Sequence, residues 1–479
     1  MKKMNLLVMS LVSAAALSFT SCSDSEDLAG NSQNKVDKFY MTLTVQTPTS
    51  NGTRTALKNN FAATTEESDV TSGTFYLVDA KGNIVFKRDI SKEEWAEKKN
   101  PTQSTNGKTT LQVPVENVTA GTTYSVYFLA NTKSESPLTD VFTSDNKFAT
   151  AYSTAKNFAM FNQNDAEVKG NSHTVVFTSD NKDANSPAKV STINIERLTA
   201  RIDEPKSAAS TIQPYAEDAT ASKEQKEANA NAVSAVESLK LTRYAISNVA
   251  NKTNVMQQWA DAKTLSIPTG INYFQPTSEF GTKTLLQNDN YFQAVTTEEG
   301  KEKRNDYVFE NNSSDAATSM YFEYTVKLKK EYQDKADIKD GTFYRYNKVI
   351  YSRIQDIIDA FKDQKAIFDG KDAKTVVDEL KAAQAGPDSE DKLDEFRKKY
   401  DIEVFNEGKT YYVQKIKDQY LSADNTIQRN SIYLLNVKNI FNVGAQVPNG
   451  GPDDRTLYYL DVEVSVNPWV LNSYDVDLQ

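Results

Sequence analysis

The chain of 479 residues has little of the chemistry that most enzymes use. It contains one histidine, His173, and one cysteine, Cys22. A single cysteine cannot form an intramolecular disulfide, and one of each residue excludes a zinc site built from these ligands. His173, at the head of the predicted strand HTVVFTS, is interpreted as a surface or strand-edge imidazole, because a catalytic base also needs a nucleophile and an orienting group. Glycine-rich phosphate loops and nucleophile elbows are missing too. The residues favour a protein that is not an enzyme and needs no cofactor or metal.

An excess of basic charge is also missing. The formal net charge is −10, with 55 Lys and Arg against 65 Asp and Glu. Nucleic acid and anionic membrane surfaces are therefore not predicted partners. The 24 Tyr and 22 Phe are typical of β-sheet, and the length predicts two or three domains.

No apolar run near the start is long enough for a membrane-spanning helix, which needs about 20 residues. The run from Leu6 to Leu17 follows two lysines and predicts a signal peptide over residues 1–21. The next letters, FTSC, resemble a bacterial lipobox, with Phe19 where an aliphatic residue is more usual. Cys22 is then the lipid-carrying first residue of the mature chain. The acidic SDSED after it resembles a signal for the outer face of the outer membrane. The alternative is a plain signal peptide with an unused cysteine.

Alternating apolar and polar residues dominate the rest of the chain. In KFYMTLTVQT, the residues Phe39, Met41, Leu43 and Val45 share one face, which predicts a half-buried strand. Similar runs up to Ile202 predict one antiparallel β-sandwich of six or seven strands. Residues 204–235 are interpreted as a loop or weak helix, after which strands resume and predict a second sandwich. Helical spacing over 352–400 predicts two or three short helices that cap the second domain.

The two ends of the mature chain stand out. Arg54 is the first arginine in the sequence and lies in TPTSNGTRTALKN, which has the composition of an exposed connection. At the other end, WVLNSYDVDL follows the strand-like LYYLDVEVSV after Asn467 and Pro468. Its apolar residues of one parity form a ridge: Val470, Tyr474, Val476 and Leu478. Taken alone, each feature has an ordinary interpretation, as an exposed loop arginine and as a last strand folded into its own domain.

Together these segments resemble a known family. The lipobox cysteine, the first strand followed by Arg54, INIERLTARI, RNSIYLLNVKNI and the ending VEVSVNPWVLNSYDVDL are similar to those of the Bacteroidales fimbrillins, the shaft subunits of type V pili. The likeness is closest to the short-fimbria subunit and is strongest at the C-terminus. It is weak across the helical insert.

The resemblance implies a mainly β fold with two tandem transthyretin-like β-sandwiches. It implies a lipidated propeptide over 22–54, an N-terminal domain over 55–203 and a C-terminal domain over 204–479 with the helical insert 352–400. It further implies a cut between Arg54 and Thr55 by a surface trypsin-like protease. The cut releases the strand Phe39–Val45, and the donor strand of a neighbouring copy, from Trp469 to Leu478, replaces it.

The function implied is that of a shaft subunit that supports adhesion and biofilm formation. Its implied partners are other copies of itself in a head-to-tail polymer, tip and anchor proteins, and the outer membrane through the lipid before cleavage. Two alternatives remain open: an anchor or tip subunit, and a monomeric surface lipoprotein that binds glycan or host protein.

Overall fold

The computed structural model describes residues 37–48, 64–98, 107–146, 148–164, 173–217, 219–274, 292–297, 301, 303–363, 367–418, 421, 426–448 and 460–468. The strands in the first part of the chain are β1 Phe39–Gln46, β2 Gly73–Val78, β3 Ile84–Ile90, β4 Lys108–Val115, β5 Thr123–Ala130, β6 Val141–Thr143, β7 Ser153–Thr154, β8 Asn157–Phe158, β9 Met160–Asn162, β10 Thr174–Val176, β11 Ala188–Lys189, β12 Ile193–Arg197, β13 Ala200–Asp203 and β14 Lys206–Ser207.

The later strands are β15 Val236–Ser247, β16 Val249–Ala250, β17 Lys252–Asn254, β18 Gln258–Trp259, β19 Leu265–Ser266, β20 Tyr273–Phe274, β21 Gln293–Ala294, β22 Asn305–Val308, β23 Ser319–Leu328, β24 Phe343–Tyr346, β25 Val349–Tyr351, β26 Glu403–Phe405, β27 Lys409–Lys415, β28 Ser431–Ile440 and β29 Leu460–Pro468. The α-helices are α1 Thr65–Ser68, α2 Lys92–Lys98, α3 Lys223–Ala235, α4 Lys330–Gln333, α5 Ile354–Ala360, α6 Ala373–Ala383 and α7 Ser389–Tyr400. The prediction of a mainly β fold is confirmed.

The first nine-stranded sheet carries the N-terminal strand. Its order is β11-β1-β12-β9-β5-β2-β3, with β4 paired to β1 and β10 paired to β5. Inward side chains from both ends of this order belong to one buried cluster, for example Leu43 of β1, Leu111 of β4, Phe75 of β2 and Val126 of β5. The sheet therefore folds over on itself around a single core.

Two further sheets enclose the largest core. One has the order β14-β28-β13-β22 with β29 paired to β28, and the other has the order β21-β15-β23-β27. Ile202 and Tyr433 from the first and Phe322 and Tyr412 from the second are all buried in this core. The chain passes from the first core to this one between β12 and β13, close to the predicted domain boundary at residues 203–204, which stays a prediction.

The described residues of the segment with helical spacing form three α-helices, α5, α6 and α7. Their apolar stripes pack on the small sheet β25-β24-β26, so that Ile357, Leu380 and Phe396 share a cluster with Tyr344 and Val404. In the part of the chain that the structure describes, none of the helices is long and apolar enough to span a bilayer. The three helices α5, α6 and α7 thus cover the sheet β25-β24-β26.

The prediction of a purely antiparallel first sandwich is wrong. In the first sheet β1 runs parallel to both β11 and β12. The sheet with β28 also contains parallel pairs, of β13 and β14 with β28. The reason is that period-two alternation fixes which face of a strand is buried but carries no information about the direction of its neighbours.

Candidate functional site

The first strand, β1, lies between two neighbours. On one edge it pairs antiparallel with β4 over its whole length, from Phe39 opposite Val115 to Gln46 opposite Lys108. On the other edge it pairs in parallel with β11 and then with β12. Within the described ranges β4 pairs with no other strand. Removal of β1 would therefore leave a slot in the sheet and take from β4 all of its ladder.

The four predicted apolar residues of β1 all face the core. Phe39 is 2% exposed, and Met41, Leu43 and Val45 are 0% exposed. They pack in one cluster with the inward side chains of β4. Burying a side chain of this kind is worth about 1.5–3 kcal/mol, so four contribute roughly 6–12 kcal/mol as an upper figure. Without β1, the slot would expose a matching apolar surface.

The connection that follows β1 is fixed at both ends. After the strand, the Thr47 backbone N–H donates to the Gly107 carbonyl oxygen at 2.9 Å. The chain is next described at Thr64, whose backbone N–H donates to Glu67 Oε2 at 2.7 Å. Residues 49–63 thus join two anchored points, and they include Arg54 and Thr55.

The second anchor is a buried charge network centred on Glu67, which is 3% exposed. Arg201 Nη1 donates to both carboxylate oxygens of Glu67, at 3.1 and 3.0 Å, and the Tyr307 hydroxyl donates to Oε1 at 2.8 Å. Arg197, fully buried, donates from Nε to the Glu67 carbonyl oxygen at 2.7 Å and from Nη2 to Ser68 Oγ at 2.6 Å. These donors of Arg197, Arg201 and Tyr307 thus each have a charged or polar acceptor, which offsets the cost of burying them.

This network joins the two main cores. Arg197 ends β12 of the first sheet, whereas Arg201 and Tyr307 belong to β13 and β22 of the second. Arg197 Nη1 also donates to Asn430 Oδ1 at 2.9 Å, immediately before β28. The short helix α1 is consequently held by both sheets, independently of β1.

The charges in the network stabilise one another. Burial of Glu67 opposes its ionisation, but Arg201, the Thr64 N–H, the Tyr307 hydroxyl and Arg197 together hold its pKa below the usual range. Burial lowers the pKa of Arg197 to about 9, with the Glu67 carboxylate acting in the opposite direction. Both groups are therefore charged at neutral pH.

The last described strand, β29, lies at the edge of its sheet. It pairs antiparallel with β28, from Leu460 opposite Ile440 to Pro468 opposite Ser431. Among the described residues it has no second neighbour. Leu460 is buried and Val462 is half-buried.

Most of the predicted site residues lie outside the described residues. These are Cys22, Arg54, Thr55, Trp469, Val470, Tyr474, Val476 and Leu478. Phe39, Met41, Leu43 and Val45 are described and lie together on the inward face of β1. The released strand, the cleavage position, the lipidation and the donor strand stay predictions.

Of the two positions expected for His173, the surface one is wrong, whereas the strand-edge one agrees with its place directly before β10, which pairs with β5 alone among the described strands. It is 7% exposed, and its Nδ1 lies 3.0 Å from Ser191 Oγ. Its backbone carbonyl oxygen also accepts from the Val126 N–H at 2.7 Å. Burial lowers the pKa of the ring, so it is neutral at pH 7.

The Glu67 network was not predicted from the sequence. One signal was present, because INIERLTARI places Arg197 and Arg201 inside an apolar strand run, where a cation needs a buried partner. The partner could not be identified, because Glu67 lies 130 positions before Arg197.

Comparison with known proteins gives one family match. Residues 403–475 match the family model described as major fimbrial subunit protein type IV, fimbrillin, C-terminal. The matched segment begins just after the helical insert and includes β26 to β29. No curated protein matches the chain in sequence.

Several solved structures resemble the chain at low identity. A fimbrilin from Porphyromonas gingivalis is 12% identical, with a TM-score of 0.44, and the alignment covers 92% of this chain and 99% of that one. A candidate cell adhesion protein from Parabacteroides distasonis is 11% identical, with a TM-score of 0.45 and coverage of 91% and 98%. Another from Bacteroides eggerthii is 10% identical, with a TM-score of 0.43 and coverage of 92% and 98%.

Proposed function

We propose that the chain is a structural, non-enzymatic subunit of a surface fimbria, and that it belongs to the shaft of a short, type V pilus. The fimbrillin C-terminal match over residues 403–475 supports the fimbrial role. The observation that carries the shaft role is the position of β1, an inner strand with four buried side chains next to a connection anchored at both ends.

Maturation follows from the order of the segments. The chain is exported as a lipoprotein carried by Cys22, and a surface trypsin-like protease cuts between Arg54 and Thr55. The propeptide, which contains β1, is then joined to the rest only by non-covalent contacts. The shortened chain begins nine residues before Thr64, where the Glu67 network keeps α1 in place.

The cut changes a competition between strands. While β1 is tethered, its effective concentration at the slot is roughly millimolar or higher, so a strand from another molecule competes poorly. After the cut that advantage is lost. The C-terminal strand of a neighbouring copy, Trp469 to Leu478, supplies similar apolar burial and ladder hydrogen bonds by strand addition. A head-to-tail contact of this kind does not close, so it produces a filament.

Replacement of Arg54 tests the cleavage step. We expect Arg54→Ala to leave a folded, lipidated monomer that does not polymerise. The matched control is Lys58→Ala, which removes a neighbouring basic residue from the same connection. The measurements are filament ladders on an unboiled denaturing gel and the mature N-terminus by mass spectrometry. Normal ladders from Arg54→Ala would contradict the cleavage role.

Replacement of one ridge residue tests the donor strand. Val476→Asp places a charge on the proposed buried ridge, and we expect it to abolish long filaments while cleavage proceeds. Asp475→Ala changes the adjacent residue of opposite parity and should leave assembly intact. Long, heat-sensitive fibres from Val476→Asp would exclude 469–478 as the donor.

The N-terminus of the surface form distinguishes the alternatives. A mature chain that starts at Thr55 supports the shaft subunit. A chain that keeps lipidated Cys22 on the surface indicates an anchor subunit or a monomeric lipoprotein.

A further inference from the structure

One short segment surrounds the first half of β1. We call residues 177–190 the clasp. Phe177 is buried, and its ring meets that of Phe39 edge-on with centroids 5.5 Å apart. The 3-10 helix Ser179–Lys182 lies at the start of β1, and β11 runs alongside Met41 and Thr42. The clasp therefore touches β1 on its inner face, its end and one edge.

The end contact is electrostatic. Lys182 Nζ lies 2.6 Å from Asp37 Oδ2 and 5.4 Å from the centre of the Phe39 ring. Asp37 and Phe39 both belong to the propeptide 22–54, which the proposed cut separates from the rest of the chain. Lys182 belongs to the part that stays, so this contact joins the two fragments.

The outer face of β1 is crossed as well. Gln112 of β4 stands opposite Thr42, and Thr42 stands opposite Lys189 of β11 on the other edge. The Gln112 side-chain amide donates to the Ala184 carbonyl oxygen of the clasp. Neighbouring strands are about 4.8 Å apart, so this bond places the 183–187 turn over the outer face of β1.

The clasp is held in its conformation by its own hydrogen bonds. Asn181 Oδ1 accepts from the Thr178 N–H at 2.6 Å, and its Nδ2 donates to the Ser186 carbonyl oxygen at 2.9 Å. At its base, the Gly121 N–H donates to the Phe177 carbonyl oxygen at 2.8 Å. A preorganised turn loses little entropy when it closes on the strand.

The clasp lies along the first half of β1. Val45 and Gln46 pair with β4 and β12, and the connection with Arg54 follows directly. The clasp contacts given above all lie between Asp37 and Thr42. The clasp thus holds the end of β1 that lies farthest from the cut.

We propose that residues 177–190 are a retaining clasp that keeps the cut β1 in its slot until another strand displaces it. The proposal rests on the proposed cleavage and exchange and names what regulates them. A cut monomer then keeps its core covered and stays soluble. The strand β1 leaves the slot only when its contacts with the clasp are broken.

The test measures how fast β1 leaves after a cut that does not depend on Arg54. A recognition sequence for a site-specific protease is placed within residues 49–63 of the full chain. The chain is cut, and loss of the labelled N-terminal fragment is followed in the presence of excess unlabelled fragment. We expect Lys182→Glu to speed release roughly 10-fold, because an ion pair and a cation–π contact are replaced by repulsion of Asp37.

Two matched variants make the result specific. Lys87 lies on β3, at the far end of the sheet, and forms an ion pair of the same 2.6 Å length with Glu135. Lys87→Glu breaks this pair and should leave the release rate of β1 unchanged. The charge swap Asp37→Lys with Lys182→Glu should return the rate to within about threefold of the unmodified chain, because the pair is restored in reverse. Gln112→Ala, at an exposed position, should speed release a few-fold through loss of the bond to Ala184.

The clasp proposal would be overturned if Lys182→Glu and Lys87→Glu released the fragment at equal rates. It would also be overturned if the charge swap failed to slow release again. Because the cut is engineered, these outcomes do not depend on filament formation. Filaments that form normally from Arg54→Ala would instead overturn the proposed function and leave the release result standing.

Discussion

The first strand and the last described strand share an alternating sequence pattern but occupy different places in their sheets. β1 has a neighbour on each edge, whereas β29 pairs with β28 alone within the described ranges. The inward side chains of β1 are 0–2% exposed. On β29, Leu460 is 9% exposed and Val462 is half-buried.

The difference shows what a strand contributes beyond its own residues. Removing an inner strand breaks two ladders and opens a slot, and removing an edge strand breaks one ladder and shortens the sheet. A slot is the more selective acceptor for a strand from another molecule. It offers backbone hydrogen bonds on both edges and apolar pockets that fit alternate side chains. An edge is the position from which a chain can continue toward another molecule. In the proposed exchange β1 leaves an inner position, and the donor 469–478 follows directly after the edge strand β29.

The sharpest test of this comparison introduces a charge at the same kind of position in each strand. Leu43→Asp puts a carboxylate into the core beneath β1, where Leu43 is 0% exposed. We expect it to lower the free energy of unfolding by more than about 4 kcal/mol, because a buried charge without a partner is among the most destabilising changes. Urea unfolding followed by circular dichroism gives the value.

The matched controls lie beside Leu43 and on β29. Thr44→Asp, on the half-buried outer face, and Val462→Asp, at the sheet edge, should each cost much less. Equal losses from Leu43→Asp and Val462→Asp would mean that an inner and an edge position are equivalent in this molecule.

Disruption of the Glu67 network tests whether the stability of the sheet around β1 depends on that of the sheet around β29. Arg197 ends β12, which pairs with β1, and Asn430 precedes β28, which pairs with β29, so the network connects the neighbours of the two strands. Glu67→Ala should destabilise the chain by about 3 kcal/mol, because Arg197 and Arg201 lose a buried carboxylate beside them while Arg201 keeps its ion pair with Asp203. Hydrogen exchange should show faster opening of both β4 and β28. Faster exchange in one sheet only would mean that α1 does not couple them. Glu66→Ala, which removes an exposed partner of Lys156, is the control.

Acid should weaken the same network. The pKa of Glu67 is lower in the folded chain than its ordinary value of 4.5. The unfolded chain therefore takes up the proton first, and the stabilisation is present above pH 4.5 and is lost as pH falls through the lower folded pKa. The loss is smaller than that in Glu67→Ala, because protonated Glu67 still forms hydrogen bonds.

The pH measurement compares the unmodified chain with Glu67→Gln. The difference in their urea midpoints should be large at about pH 7 and should shrink toward about pH 3, while other carboxyl groups titrate equally in both. A difference that is constant with pH would show that the charge of Glu67 contributes nothing to stability.

The sequence predicted what depends on local pattern. Alternation in KFYMTLTVQT gave the strand and its buried face, and helical spacing gave the helices over 352–400. A mainly β composition also led to the correct fold class. These features follow from residues within one turn or one strand of each other, which a single sequence contains.

What depends on distant residues was not predicted. The parallel pairing of β1 with β11 and β12 joins segments about 150 positions apart in the chain, and alternation is the same in either direction. Glu67, Arg197 and Tyr307 are far apart in the chain and meet only in the folded structure. The clasp is a polar turn by composition, and only its contacts with Asp37 and Phe39 give it a role.

The smallest expected effect compares the same residue type in the two strands. Val45 of β1 is 0% exposed, and Val462 of β29 is half-buried. Val45→Ala should cost about 2 kcal/mol, because two methyl groups leave the core and a small cavity remains. Val462→Ala should cost roughly 0.5–1 kcal/mol, since part of its surface is already in water. Parallel urea titrations of both variants give the ratio directly. A larger loss from Val462→Ala would mean that the edge strand is packed more tightly than its single neighbour indicates, and the contrast drawn between the inner strand β1 and the edge strand β29 would then be wrong.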